Sequence, residues 1–310
     1  MSQGGFKTYV VLNPRSAGGA TGKSVQKILA AVGARVGELE HGLTEGPEHA
    51  TVLAREALER GAEMVVAVGG DGTFNEVTNA FLQGGEARFP EAVLGLLPQG
   101  TGGDFRKTVG VERKLESACE KLAGRATRRI DAGWLDFVDH QGSPAGRAFI
   151  NISSFGVSGA VVKTVNESSK ALGGKLSFMI GSARALWHYR DQRVRLIVDG
   201  EAEEPIAMTT VAVCNGRFFG GGMMVAPRAE LDDGLFDVTI WRDFALKDFA
   251  FKKAMLYKGT HLSDPRTRAL RCKELRAESD EKVLIDVDGE QPGVLPATFR
   301  ILPGAINLKI

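Results

Sequence analysis

Cysteine is scarce in this chain of 310 residues: there are 3, Cys119, Cys214 and Cys272. They lie far apart, with no Cys-x-x-Cys or Cys/His ligand spacing, so neither a disulfide framework nor a zinc site can be read from them. Reduced thiols in a cytosol are the expectation. Long apolar runs are missing as well. No stretch approaches the roughly 18 consecutive apolar residues of a spanning helix, and the start, Met1-Ser-Gln-Gly-Gly-Phe-Lys7, has no apolar signal-peptide core. Net charge is almost absent, formally +1, which leaves no global field to draw in DNA or RNA. These absences predict a cytoplasmic protein without a nucleic-acid partner. Any membrane contact would be local and made from the water side.

What is present is ordinary for a folded protein, with 43% hydrophobic and 25% charged residues. The length suits two domains better than a single core. Early in the chain, short apolar runs alternate with helix-like segments. Thr8–Leu12 ends at the turn signal Asn13-Pro14, and Met64–Val68 and Val93–Leu97 read as buried strands. Pro47 opens a helical pattern with Ala50, Leu53, Ala54, Ala57 and Leu58 on one face, and Gly61 closes it. Continuous apolar strands separated by amphipathic helices indicate a parallel sheet covered on both faces.

After about residue 130 the period changes to two. Val194, Leu196 and Val198 alternate with Arg193, Arg195 and Asp199, and Phe236–Trp241 alternates around Val238 and Ile240. Such one-faced segments belong to an antiparallel sheet. Helical stretches interrupt it near 158–189 and 246–258. The fold predicted is an α/β nucleotide-binding domain over 1–130, completed by about 298–310, and a mostly antiparallel β domain over 131–297.

The sharpest chemical signal is the run from Val65 to Phe81, in which a buried strand meets Gly69-Gly70-Asp71-Gly72-Thr73 and a helix follows. Glycines let a backbone approach a ligand closely, and the amides and positive dipole end of the helix suit a phosphate. Thr73 and Glu76 have the spacing of a capping box, while Phe74, Val77 and Phe81 form the apolar face. Two further loops follow strands in the same way, Asn13–Ser24 and Pro98–Phe105. Loops at the carboxyl ends of parallel strands converge on one crevice, so the three together point to a polyphosphate. The first loop nearly satisfies the Walker A pattern through Gly22-Lys23-Ser24, but Ala17 stands where its first glycine belongs. A P-loop NTPase would also need an aspartate at the end of a neighbouring strand, where Met64–Val68 runs into glycines instead.

These motifs resemble the diacylglycerol/sphingosine/ceramide lipid kinase family over nearly the whole chain. Asn13–Ala17 is similar to that family's opening Asn-Pro-x-Ser-Gly loop, with Ala17 in place of glycine. Gly69–Thr73 matches its Gly-Gly-Asp-Gly-Thr loop, and Gly100–Asp104 its Gly-Thr-x-Asn-Asp loop, with Gly103 in place of asparagine. The resemblance implies ATP bound by Asn13, Pro14, Arg15, Ser16, Ala17, Thr44, Gly69, Gly70, Asp71, Gly72, Thr73, Phe74, Asn75 and Thr101. It implies catalytic Mg2+ organised through water by Asp71, Asp104 and Asp131, and a structural magnesium near Glu230, Asp233 and Leu235. The segment Asp232-Asp233-Gly234 is by itself also a hairpin signal.

In Ile285-Asp-Val-Asp-Gly-Glu290, the family places a general base. A hydroxyl is a poor nucleophile until a carboxylate can take its proton. Asp288 and Glu290 would point the same way in an extended strand, and both are candidates. The 5 histidines, His41, His49, His140, His188 and His261, all fall outside the loops and their acidic partners. The resemblance further implies a lipid substrate met at a membrane surface through transient peripheral contact, and it is compatible with a homodimer. Arg217–Met224 could form the rim for an acyl chain. Phe251–Tyr257 mixes basic and apolar residues as interfacial helices do, and Arg266, Arg268, Arg271 and Lys273 could face anionic headgroups. A soluble-substrate kinase of the NAD kinase type and a non-catalytic lipid-binding homologue are the alternatives.

Overall fold

The computed structural model describes residues 5–100, 102–167 and 189–310. The chain divides into two compact units, Met1–Ala132 with Pro303–Ile310, and Gly133–Leu302. Of the stretch predicted helical near 158–189, Val157–Glu167 is helix, and 168–188 lies outside the described residues, as does Thr101.

In the first unit, β1 (Thr8–Leu12), β2 (Leu39–Leu43), β3 (Met64–Gly69) and β4 (Val93–Pro98) form a parallel sheet in the order β4-β3-β1-β2. Asn307 and Leu308, near the end of the chain, pair in parallel beside Val93 and Leu94 of β4. The strands are apolar without alternation because both faces are covered. Val10, Leu12, Met64, Val66, Val68 and Leu97 pack with Ile28 and Val32 of α1 (Val25–Val36). Alternate residues such as Val65 and Leu96 take the other face. There α2 (His49–Glu59) and α3 (Asp71–Phe81) pack against each other, α2 against β1 and α3 against β3.

The predicted capping box does not form. Helix α3 begins two residues before Thr73, with Gly70 at its N-cap, and the Glu76 carboxylate accepts the Ala50 N–H of α2 at 3.1 Å instead. Tertiary contact has taken the side chain that local spacing assigned to the helix end.

The second unit is a sandwich of two sheets. One comprises β6 (Pro144–Phe149), β8 (Gln192–Val198), β12 (Glu274–Glu278) and the parts within this unit of β5 (Thr127–Asp139) and β14 (Gly293–Lys309), in the order β8-β12-β14-β5-β6. The other is antiparallel, in the order β11-β10-β9-β7-β13, from β7 (Ile152–Gly156), β9 (Thr210–Cys214), β10 (Phe236–Trp241), β11 (Thr267–Cys272) and β13 (Ile285–Val287). Phe149, Phe155, Phe236 and Phe299 fill the interior, with Phe149 stacked on Phe236 and Phe155 on Phe299. The alternation expected in β10 is not one of burial: Asp237 and Thr239 are buried too. A second cluster, with Ala212, Cys214, Val225 and Leu256, covers that face of the sheet.

Candidate active site

In the first unit, the three glycine-rich loops are bonded to one another at the carboxyl ends of β1, β3 and β4. Asn13 Nδ2 donates to Thr73 Oγ1 at 3.1 Å, joining the first loop to the second. The Asn13 side-chain carbonyl also accepts the Arg15 N–H, and its main-chain carbonyl accepts the Ser16 hydroxyl. Ser16 and Thr21 share a 2.6 Å hydrogen bond, and Thr21 donates to the Gln99 carbonyl, joining the first loop to the third. Gln99 N–H donates to the Gly69 carbonyl at 2.8 Å. The second and third loops touch so closely that a Cβ on Gly100 would lie 2.5 Å from the Gly70 Cα. Thr44, buried at the end of β2, donates its N–H to the Leu12 carbonyl.

Asp71 is the strongest tie among the loops. Its carboxylate accepts the N–H groups of Gly103 (2.8 Å), Asp104 (3.0 Å) and Phe105 (3.2 Å). Burial pushes its pKa up, and the three amide donors oppose that rise. The first hydrogen bond of α3 is Phe74 N–H to the Gly70 carbonyl. The amides of Asp71, Gly72 and Thr73 therefore have no acceptor within the helix, which is the property that suits a helix start to phosphate. The side chains of Phe74 and Asn75 are buried and belong to the core rather than to a ligand surface. Gly103 has φ +89°, a left-handed conformation that glycine and asparagine tolerate best. The same backbone demand accounts for both residue types at this position.

The acidic set expected around Mg2+ is only partly drawn together. Asp71 and Asp104 are close enough for the Asp104 charge to contribute to the raised pKa of Asp71. Asp104 pairs with Lys107 at 2.7 Å, and Asp131 accepts the Gly304 N–H at 2.7 Å. Asp71 and Asp104 thus lie near one another beside the glycine loops, the first holding three amides and the second the Lys107 ammonium. The expected structural magnesium fits less well. Asp233 accepts the Leu235 N–H and is bonded to Arg271, which also reaches Asp237 at 3.2 Å, while Glu230 is exposed. A guanidinium already neutralises the carboxylate that the metal would need. Among the described residues no group of three or more His, Cys, Asp or Glu side chains is gathered for a metal.

In the second unit, the acidic run after β13 forms a tight hairpin, not an extended strand. Val287 and Glu290 exchange backbone hydrogen bonds of 2.8 and 3.0 Å across Asp288 and Gly289, whose φ values are +48° and +91°. Two left-handed residues are what a type I′ turn requires. The same-side geometry expected of Asp288 and Glu290 is therefore overturned. The Asp288 carboxylate accepts the N–H groups of Ile150 (3.0 Å) and Ile152 (2.9 Å). Glu290 instead pairs with Arg147 at 2.8 Å, with 36% of its side chain exposed.

A third carboxylate, not singled out from the sequence, lies beneath them. Asp286 is 2% exposed and accepts the Gly289 N–H at 2.9 Å and the Ser154 hydroxyl at 3.1 Å. Burial pushes its pKa up to about 7, against the pull of those two donors and with some help from the negative charges of Asp288 and Glu290. The available signal was its place between Ile285 and Val287, both fully buried. An acid inside an apolar strand triplet is unusual.

The flanking segments also resolve. Phe218–Phe219 pairs antiparallel with Met223–Met224 around the glycines. Arg266, Arg268 and Arg271 each bond an acid: Asp248 and Asp264, Glu203, and Asp233 with Asp237, respectively.

Comparison with known proteins places both units. The profile of the diacylglycerol kinase catalytic domain matches residues 7–135, and that of the YegS C-terminal NAD kinase beta sandwich-like domain matches residues 151–310. A probable lipid kinase, YegS-like, from Chromohalobacter salexigens is 31% identical over 97% of this chain and 92% of its own. A diacylglycerol kinase from Bacillus subtilis is 29% identical over 81% of this chain and 78% of its own. A crystal structure of a diacylglycerol kinase from Bacillus anthracis superposes with a TM-score of 0.71 over 98% of this chain and 96% of its own, at 20% identity.

Proposed function

Because this chain belongs to the family of diacylglycerol kinases and YegS-like lipid kinases, we propose that it transfers the γ-phosphoryl group of ATP to a hydroxyl of diacylglycerol or a related lipid. The observation that carries this reading is the mutual bonding of three glycine-rich loops around the start of α3. That arrangement leaves the amides of Asp71, Gly72 and Thr73 without an acceptor in the helix, beside loops whose glycines let a ligand come close, which suits a phosphate group. Phosphoryl transfer depends chiefly on positioning and charge neutralisation, and Asp71 with Asp104 would hold Mg2+, which supplies that neutralisation when bound.

Of the two carboxylates nominated as base, Glu290 is the better reading. Asp288 is committed to two backbone amides, whereas Glu290 sits on a flexible side chain that is partly open to solvent and oriented by Arg147. In this role Glu290 takes the proton of the attacking lipid hydroxyl, and Asp288 fixes the hairpin that presents it. No helix among the described residues is long and apolar enough to cross a membrane, so the lipid would be met by transient contact from the cytoplasmic side.

The test is γ-radiolabelled ATP with a panel of diacylglycerol, phosphatidylglycerol, ceramide, sphingoid base and NAD, resolved by thin-layer chromatography. Label should enter one lipid class and disappear when Mg2+ is chelated. Label in NAD with none in any lipid would assign the chain to soluble-substrate kinases. Nucleotide binding without any labelled product would make it a binding homologue.

A further inference from the structure

One helix of the second unit carries a surface that phosphoryl transfer does not use. Helix α4 (Leu246–Lys258) is fixed on one side: Leu256 is 5% exposed within the cluster that contains Trp241 and Val225. Asp248 pairs with Arg266 at 2.7 Å, and Lys252 is bonded to Asp264. The other side is different in kind. Phe251 is 87% exposed and Tyr257 40% exposed. Lys247, Phe251, Ala254 and Lys258 are all exposed, and their spacing puts them in one stripe along the helix. Lys253, also exposed, holds its ammonium 5.5 Å from the Tyr257 ring centroid.

Charge on this face has one sign. The helix has a single acid, Asp248, and it points inward to Arg266. Lys247, Lys253 and Lys258 have no ion-pair partner among the described residues, while the neighbouring Arg266, Arg268 and Arg271 are each matched by acids. A phenyl ring standing almost wholly in water, with Lys247 and Lys258 along the same stripe, fits two kinds of surface poorly. The core of a protein interface is depleted in lysine, and a solvated helix face does not call for the ring. An anionic bilayer suits both features: the ring reaches the boundary between headgroups and acyl chains, and the ammonium groups meet lipid phosphates.

We propose that the outward face of α4 docks the protein on an anionic lipid bilayer, with Phe251 inserted and Lys247 and Lys258 on the headgroups. The purpose of this docking rests on the lipid-kinase reading above, but its geometry does not. The test is flotation of the full chain with vesicles of phosphatidylcholine, alone or mixed with phosphatidylglycerol. The wild type should bind the mixed vesicles more tightly and release them as salt rises. Phe251→Ala should weaken that binding about tenfold. Replacing Lys247 and Lys258 together by Gln should weaken it about 25-fold, roughly fivefold for each charge.

Melting temperature, and the rate on lipid dispersed in detergent micelles, should not change, since none of these residues belongs to the loops or the hairpin. Variants that float like the wild type overturn the docking face and leave the kinase reading to the micelle assay. Loss of flotation in a protein that labels no lipid upholds the face and removes the kinase reading. A dimer that Phe251→Ala dissociates in sedimentation velocity, with vesicle binding intact, overturns the proposal by assigning Phe251 to a second copy.

Discussion

The two units hold their polar chemistry in different ways. In the first, neutral side chains and main chain tie the loops together, and one carboxylate, Asp71, receives three amides from a neighbouring loop. In the second, acids alternate along five residues, and each has a different kind of partner. Asp286 has a hydroxyl and an amide, Asp288 has two amides, and Glu290 has a guanidinium. A carboxylate that gathers backbone amides shapes the chain, since replacing it leaves buried donors unmet. A carboxylate held by a single, half-buried ion pair to a side chain leaves no backbone amide unmet when it is replaced. Asp71 and Asp288 are thus alike despite lying in different units, and Glu290 stands apart from both.

The largest effect should come from testing that division inside the hairpin. Glu290→Gln removes the base while keeping the side chain's size, so kcat should fall by about 10²–10⁴-fold with the melting temperature nearly unchanged. Asp288→Asn should lower activity and stability together, because an amide NH2 would confront the N–H of Ile150 or Ile152. If Glu290→Gln keeps more than a tenth of wild-type kcat while Asp288→Asn loses it at full stability, the two roles must be exchanged. Next in size is Asp71→Asn, which leaves at least one of three buried amides without a charged acceptor. It should cost roughly 2–4 kcal/mol as well as activity, read by denaturant titration. A variant of native stability that is inactive would make Asp71 a magnesium ligand first and a loop tie second.

Much of this was legible beforehand because it depends on local rules. The glycine loops follow buried strands, so their convergence comes from parallel topology alone, and the two sheets follow from hydrophobic period. The misreadings have two causes, competition from distant partners and, at Asp288-Gly289, a local turn signal that outweighed alternation. Glu76 satisfies a helix start 26 residues away, a preference that no local spacing encodes. Asp288 and Glu290 part company because Asp288-Gly289 is a stronger turn former than the alternation is a strand former. Asp286 passed unnoticed because its significance lies in burial, supplied by both flanking residues and by Ser154 on another strand. In the same way, a basic tract read as a headgroup surface proved to contain arginines already matched by acids, while Lys247 and Lys258 of α4 have no acid partner among the described residues.

Asp286 gives the comparison a pH dependence. Its pKa is about 7 in the folded protein, well above the value of about 4 that an aspartate has in an unfolded chain. Between these values the folded state holds a proton that the unfolded state has lost. Its contribution is therefore fully present below about pH 4, is lost as pH rises toward and through 7, and is constant above that. Asp286→Asn imitates the protonated acid at every pH. Measured against this variant, the wild type should lose stability by at most about 1.4 kcal/mol per pH unit on the way up to pH 7. Parallel curves for the two proteins would show that the hairpin does not rest on a protonated acid.

The smallest effect concerns two residues of the same backbone conformation, one in each unit. Ala17 in the first loop has φ +52°, and Asp288 in the hairpin has φ +48°. Both lie in the left-handed region, where a Cβ is crowded against the following carbonyl. Asp288 offsets that crowding with two carboxylate hydrogen bonds, while the methyl group of Ala17 can make none. Glycine removes the crowding but gains freedom in the unfolded chain, and the second effect takes back part of the first. Ala17→Gly should therefore stabilise the protein by about 0.5–1 kcal/mol, a rise of about 1 °C in melting temperature. Asp288→Gly should do the opposite, since relief of the same strain is outweighed by two buried amides left without an acceptor. Calorimetry on the two variants side by side checks both signs. If Ala17→Gly destabilises, the methyl group packs usefully in the first loop, and if Asp288→Gly stabilises, the carboxylate does not hold the hairpin.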